Sequence, residues 1–186
     1  MSPNTAITPI LTACAAPNKE TLMIRTITLA TTLLLAPAAL AQDAEMSDVE
    51  QVARDYMAAY SAVDFETMAG FMAEDIVFSD STAPGTGSPD GIQETGRDSA
   101  LAMLNEFVET YHPIGLNFVW DTVFESNDRV VFMGHVNATY PTEQPGQVFR
   151  WRAAQTSVVT VRDGMIVRHQ DFADYAHAEQ GLVPAE

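Results

Sequence analysis

His169 and Asp171 stand two residues apart in an alternating segment near the C-terminus, so a strand there points both side chains to one face. A carboxylate beside an imidazole is acid–base chemistry near neutral pH, because the Asp can take a proton or orient the ring. His135 and Asn137 repeat the spacing in an earlier alternating segment. Buried together, these four groups are costly unless they hydrogen-bond one another or serve a cavity. The pattern predicts either a proton-transfer site or a self-satisfied structural network. A metal site built from His135, His169 and Asp171 has no ligand-spacing motif behind it, and neither metal nor cofactor is expected.

The elements that position these groups follow from periodicity. Ser47-Asp48-Val49-Glu50 reads as a capping box, and apolar residues at helical spacing carry a first helix to about Ala62. Asp64 caps a second, shorter helix, and Ile76 to Phe78 form a short strand. Ser81 to Gly96 reads as a loop, in which Gly85-Thr86-Gly87 lacks the Gly-Lys-Ser/Thr of a phosphate loop and is a surface connection or a lid. Asp98 opens a third helix that ends near Tyr111, before His112-Pro113. From Ile114 the period becomes two, with turns at Asn127-Asp128, Pro141 to Gly146 and Asp163-Gly164. Three helices followed by an antiparallel meander make an α+β fold, with the sheet curling over the helices.

Parity then assigns faces. Phe149, Trp151, Ala153, Gln155, Ser157 and Val159 alternate with Arg150, Arg152 and Arg162, so the arginine face is wet and the other looks toward the helices. The same reasoning brings His169 and Asp171 inward. On the preceding strand, Met133, His135 and Asn137 are expected to line the interior. Its apolar row Val130, Phe132, Val136 and Ala138 is then expected outside, as the face of a homodimer. Trp151, Gln155, Ser157, Met133, Asn137 and, from the third helix, Phe107 are the expected pocket residues.

Composition narrows the partners. A formal net charge of -16 repels phosphate backbones and argues against nucleic acid. Cys14 is the only cysteine, so neither an intramolecular disulfide nor a thiolate zinc site is available. Residues 23–41 combine Arg25, a short apolar run and Ala39-Leu40-Ala41, the pattern of a secretory signal cleaved before Gln42. Residues 1–22 then read as an upstream extension, although Leu11-Thr12-Ala13-Cys14 has the form of a lipoprotein box. The expected organisation is one domain over 42–186, in a periplasmic or secreted protein.

Phe71-Met72-Ala73-Glu74-Asp75-Ile76-Val77-Phe78, Gly96-Arg97-Asp98, Val161-Arg162-Asp163-Gly164-Met165-Ile166-Val167 and Asp171-Phe172-Ala173-Asp174-Tyr175 together resemble the nuclear-transport-factor-2-like superfamily. The likeness is to its SnoaL-like branch of polyketide cyclases, ketosteroid isomerase and limonene epoxide hydrolase. It implies a cone-shaped α+β barrel: a curved antiparallel sheet wrapped on three N-terminal helices, enclosing an apolar pocket. By that resemblance Asp171 falls where the epoxide hydrolase keeps the Asp that handles its water, and His135-Val136-Asn137 stands where its Arg-x-Asp would be. Tyr56 and Asp80 look like the oxyanion Tyr and proton-shuttling Asp of ketosteroid isomerase, whose second oxyanion acid falls near Ser157. The resemblance implies a cofactor-independent isomerase, cyclase, lyase or hydrolase acting on a small apolar molecule through Asp171, His169, His135, Asp80 and Tyr56. One scaffold hosts many chemistries, so a non-catalytic binding or interaction domain of the cell envelope is the alternative.

Overall fold

The computed structural model describes residues 46–84, 88 and 90–185. The extension read at 1–22, the signal peptide at 23–41 and the Gly85-Thr86-Gly87 turn lie outside the described residues. Helix α1 (Asp48–Ser61) is capped by Ser47, whose hydroxyl accepts from the Glu50 amide at 3.0 Å. The reciprocal half of the capping box does not form. Glu50 instead pairs with Arg54 one turn along, at 2.6 Å, and the Ser47 hydroxyl donates to Glu125. Helix α2 (Phe65–Ala69) is capped by Asp64, and α3 (Arg97–Tyr111) ends at His112 in the left-handed conformation, just before Pro113.

Seven strands form one curved, unclosed sheet: β1 (Met72–Asp80), β2 (Ile92–Thr95), β3 (Gly115–Ser126), β4 (Arg129–Pro141), β5 (Gln147–Arg162), β6 (Met165–Ala173) and β7 (Glu179–Pro184). They lie in the order β2-β1-β6-β5-β4-β3, with β7 against β5. The antiparallel meander from β3 to β6 follows the predicted turns. At the Asp163-Gly164 turn both residues have positive φ, as a tight right-twisting hairpin requires. Three features depart from the sequence reading. Strand β1 is longer than Ile76–Phe78 and runs parallel to β6; β2 occupies part of the expected loop; β7 adds a strand at the C-terminus.

The helices cover the face of the sheet that holds Val130, Phe132, Val136 and Ala138, each at most 4% exposed. The apolar row expected to face outward is therefore core, and the dimer surface drawn on it does not exist. Met133, by contrast, is 45% exposed, and His135 and Asn137 share its helix-free face. Cross-strand pairing explains the reversal. Ala138 stands opposite Trp151 and Val136 opposite Ala153 on the covered side, whereas Asn137 stands opposite Arg152. Alternation separates two faces of a strand, and only its neighbour says which one is covered.

Packing density differs between the two ends of the covered face. Tyr56, Met57, Met68, Met72, Ile76, Phe132 and Ile166 fill one end and are almost fully buried. Each such side chain contributes ~1.5–3 kcal/mol of apolar burial. Toward the other end the sheet carries Ala138 and Ala173, whose small side chains leave space beneath the third helix. One glycine sets the approach of the edge strand. A Cβ on Gly134 would fall 2.0 Å from the Val119 carbonyl, beside the register shift between Trp120 and Thr122. We expect Gly134→Ala to lower stability by about 1–3 kcal/mol, measured by chemical denaturation; an unchanged midpoint would show that β3 does not need this close approach.

Candidate acid–base site

The parallel register of β1 and β6 places Phe78 beside His169 and Asp80 beside Asp171. Strand β5 supplies the other neighbours, with Ser157 directly opposite Asp171. Both His169 and Asp171 point beneath the helices, at 0% and 4% exposure. Asp171 Oδ1 accepts from the Gln155 amide at 2.8 Å and from the Ser157 hydroxyl, and His169 Nε2 lies 2.9 Å away. That imidazole nitrogen makes no aligned hydrogen bond, so its contact with the carboxylate is one of proximity. Among the described residues Asp171 Oδ2 has one hydrogen-bond partner, the Tyr60 hydroxyl, at a long 3.4 Å. The two oxygens are thus unequal: Oδ1 is held by the fold, and Oδ2 is the freer acceptor.

Behind Asp171 the network runs into the core. The Tyr56 hydroxyl lies 2.8 Å from His169 Nδ1, its one hydrogen bond among the described residues. Burial, and then the neighbouring Asp171, push the Tyr56 phenol well above its ordinary value of 10.0, so it keeps its proton. Phe78 and Tyr60 flank the ring at centroid distances of 4.4 and 5.2 Å.

Asp171 opens onto a cavity of about 880 Å³ enclosed between the sheet, α3 and the turn after β1. Its deep end is formed by Tyr60, Phe78, Gln155 and Asp171, all buried, and its outer end by exposed groups such as Glu106 and Tyr111. Phe107 and Trp151 line it, as expected, and Ser157 supports its floor through Asp171. Asp80 lines it too, but its carboxylate is engaged: Oδ2 accepts from the Tyr175 hydroxyl at 2.5 Å and Oδ1 from the Thr82 amide and hydroxyl at 3.0 and 2.8 Å. Tyr56 does not reach the cavity and stands behind His169. His135, Asn137 and Met133 lie on the opposite face of β4, away from the cavity, because their strand turns its apolar row inward. Tyr60 and Tyr175 are cavity residues that the sequence reading did not select. Tyr60 follows Tyr56 by one helical turn, the spacing that places both on one face.

The profile of the SnoaL-like domain matches residues 53–169. The chain belongs to the SnoaL-like family. No curated protein sequence matches it. Among solved structures it is similar to a putative SnoaL-like polyketide cyclase from Shewanella denitrificans, at 20% identity over 70% of this chain and 93% of that one, with a TM-score of 0.59. It is also similar to a Δ5-3-ketosteroid isomerase from a Mycobacterium species, at 20% identity over 73% of this chain and 100% of that one, TM-score 0.58. A Mycobacterium tuberculosis protein in complex with estradiol-17β-hemisuccinate matches at 14% identity over 72% of this chain and 99% of that one, TM-score 0.58. These likenesses place the sheet and helices of the SnoaL-like chain in the nuclear-transport-factor-2-like cone fold.

The buried phenols give the SnoaL-like chain a defined alkaline limit. Burial raises Tyr56 and Tyr60 well above 10.0, and Tyr175 is held up by burial and by its bond to Asp80. Below pH ~10 folded and unfolded chains hold these protons alike; above it the unfolded chain releases them and the folded chain does not. Stability is therefore expected to fall as pH rises past ~10, with the phenolate absorbance of these residues appearing only on unfolding. Ionisation of all five tyrosines in a still-folded protein would contradict this.

Proposed function

We propose that this protein is a cofactor-independent acid–base enzyme that moves a proton within a small, largely apolar carbonyl compound, with Asp171 as the base. One observation carries the reading: a buried carboxylate at the closed end of an apolar cavity, with one oxygen fixed by Ser157 and Gln155 and the other left freer. Oδ2 takes a proton from a carbon next to the carbonyl, the C–H pair becomes a carbon–carbon double bond as the carbonyl π pair moves onto oxygen, and the proton returns to the same or a conjugated carbon as the carbonyl re-forms. Tyr60 lines the cavity with only a long contact to Oδ2 and is the donor for charge developing on a bound ligand, whereas the Gln155 amide is taken up by Asp171 and Ser157. His169 and Tyr56 act from behind, holding the carboxylate in place. The ketosteroid isomerase and steroid-bound neighbours support a ligand of this size and polarity class.

The alternative, a binding domain without turnover, draws support from the local satisfaction of Asp80 and from the absence of Tyr56 from the cavity. Hydrogen–deuterium exchange next to the carbonyl, followed by NMR for a panel of apolar ketones that includes a Δ5-3-ketosteroid, separates the two. The wild-type protein is expected to exchange at least one of them, and Asp171→Asn to slow that exchange by about 10²- to 10⁴-fold with the fold intact. Binding without exchange in the wild type would establish the alternative.

We also propose export, supported by the charged start, short apolar run and Ala39-Leu40-Ala41. Expressed in a bacterium, the mature chain is expected to begin at Gln42 in the periplasmic fraction. An intact N-terminus in the cytoplasm would refute this.

A further inference from the structure

We infer that the cavity selects a positively charged amphiphile, an apolar body carrying an ammonium group, over neutral or anionic molecules of the same shape. The inference rests on the reading of this cavity as a ligand site and adds the chemical class of the ligand.

Charge is the first argument. Three carboxylates line the cavity, Asp171 at depth, Asp80 beside it across the β1–β6 pair, and Glu106 on α3, while no lysine, arginine or histidine among the described residues does so. The arginines of β5 lie on the helix-free face, alternating with the cavity residues. The groups that hydrogen-bond Asp171 are an amide and two hydroxyls, all dipoles. Among the described residues the buried carboxylate thus has hydrogen bonds but no lysine or arginine partner. A ligand that brings one supplies what the site lacks, and an anionic ligand meets only repulsion.

The second argument is independent of the first. The walls between the carboxylates are aromatic on several sides, including Tyr60, Phe118, Tyr140, Phe149, Trp151 and Tyr175. Trp151 and Tyr175 meet at a tilt with centroids 5.4 Å apart, forming a corner of two electron-rich faces next to the Asp80 carboxylate. Rings attract cations through their faces and do so most strongly where water is excluded. A purely apolar ligand is served equally well by aliphatic walls, whereas aromatic walls combined with carboxylates reward an alkylammonium.

The test uses three probes of matched shape: 4-phenylbutyl-trimethylammonium, its neutral carbon isostere (5,5-dimethylhexyl)benzene, and 5-phenylpentanoate. Binding to the full-length protein is read by calorimetry and by tryptophan fluorescence, to which Trp151 in the cavity wall and Trp120 both contribute. The cation is expected to bind about tenfold more tightly than the isostere, with the carboxylate weakest. Asp171→Asn should remove most of the preference for the cation over the isostere; Glu106→Gln, at the exposed end, should reduce it less and serves if the first variant does not fold. Equal affinity for cation and isostere, or tighter binding of the anion, would overturn the inference and leave the cavity as a ligand site. Failure of all three probes to bind would overturn the inference together with that reading.

Discussion

A carboxylate placed under a sheet must be met by donors, and in this protein the fold around Asp171 is arranged to meet it. Ser157 and Gln155 come from the neighbouring strand and Tyr60 from α1, while His169, two residues earlier on the same strand, packs beside the carboxylate. Tyr56 in turn meets that histidine at Nδ1. The requirement links three elements far apart in sequence, because an unmatched Asp171 would cost several kcal/mol. It also constrains register: a one-residue slip of β6 against β5 would turn Asp171 toward the solvent face and leave Ser157 and Gln155 without their acceptor.

The same arrangement divides labour within the site. The side chains that contact Asp171 Oδ1 are buried in the frame, and of these Gln155 also lines the cavity, as does Tyr60 beside Oδ2. Asp80 performs a different task, tying the end of β1 to Tyr175 and, through Thr82, to the Ala173 amide. Two acids on adjacent rungs thus have distinct environments, one shaped by the core and one by a local turn. Environment, not residue type, sets what each can do.

Much of this is legible in the sequence alone. Strand β5 begins and ends where its alternation and flanking turns place it, and its arginines identified the wet face, which carried His169 and Asp171 inward with it. The α+β order and the SnoaL-like resemblance were readable from the helix-then-strand periodicity and the quoted motifs. Strand β4 is ambiguous in sequence because both of its faces contain apolar residues, and the deciding information sits on β5 in the form of Arg152 opposite Asn137. The short strands β2 and β7 escaped because four polar-rich residues, or six ending in proline, carry little periodic signal and depend on a neighbour for their hydrogen bonds. Cavity residues such as Tyr140 and Phe149 were not separable from core, since hollow and filled ends of a sheet differ in the size of surrounding residues rather than in hydrophobicity.

Strand β7 pairs with the part of β5 that carries Phe149 and Trp151, and the 3₁₀ turn Tyr175–His177 before it holds the tyrosine that binds Asp80. This segment therefore gives the chamber Tyr175 and, through β7, braces the strand that carries Phe149 and Trp151. A truncation or fusion that disturbs it acts on the support of that wall, so the choice of where to attach a purification handle is a choice about the binding properties being measured.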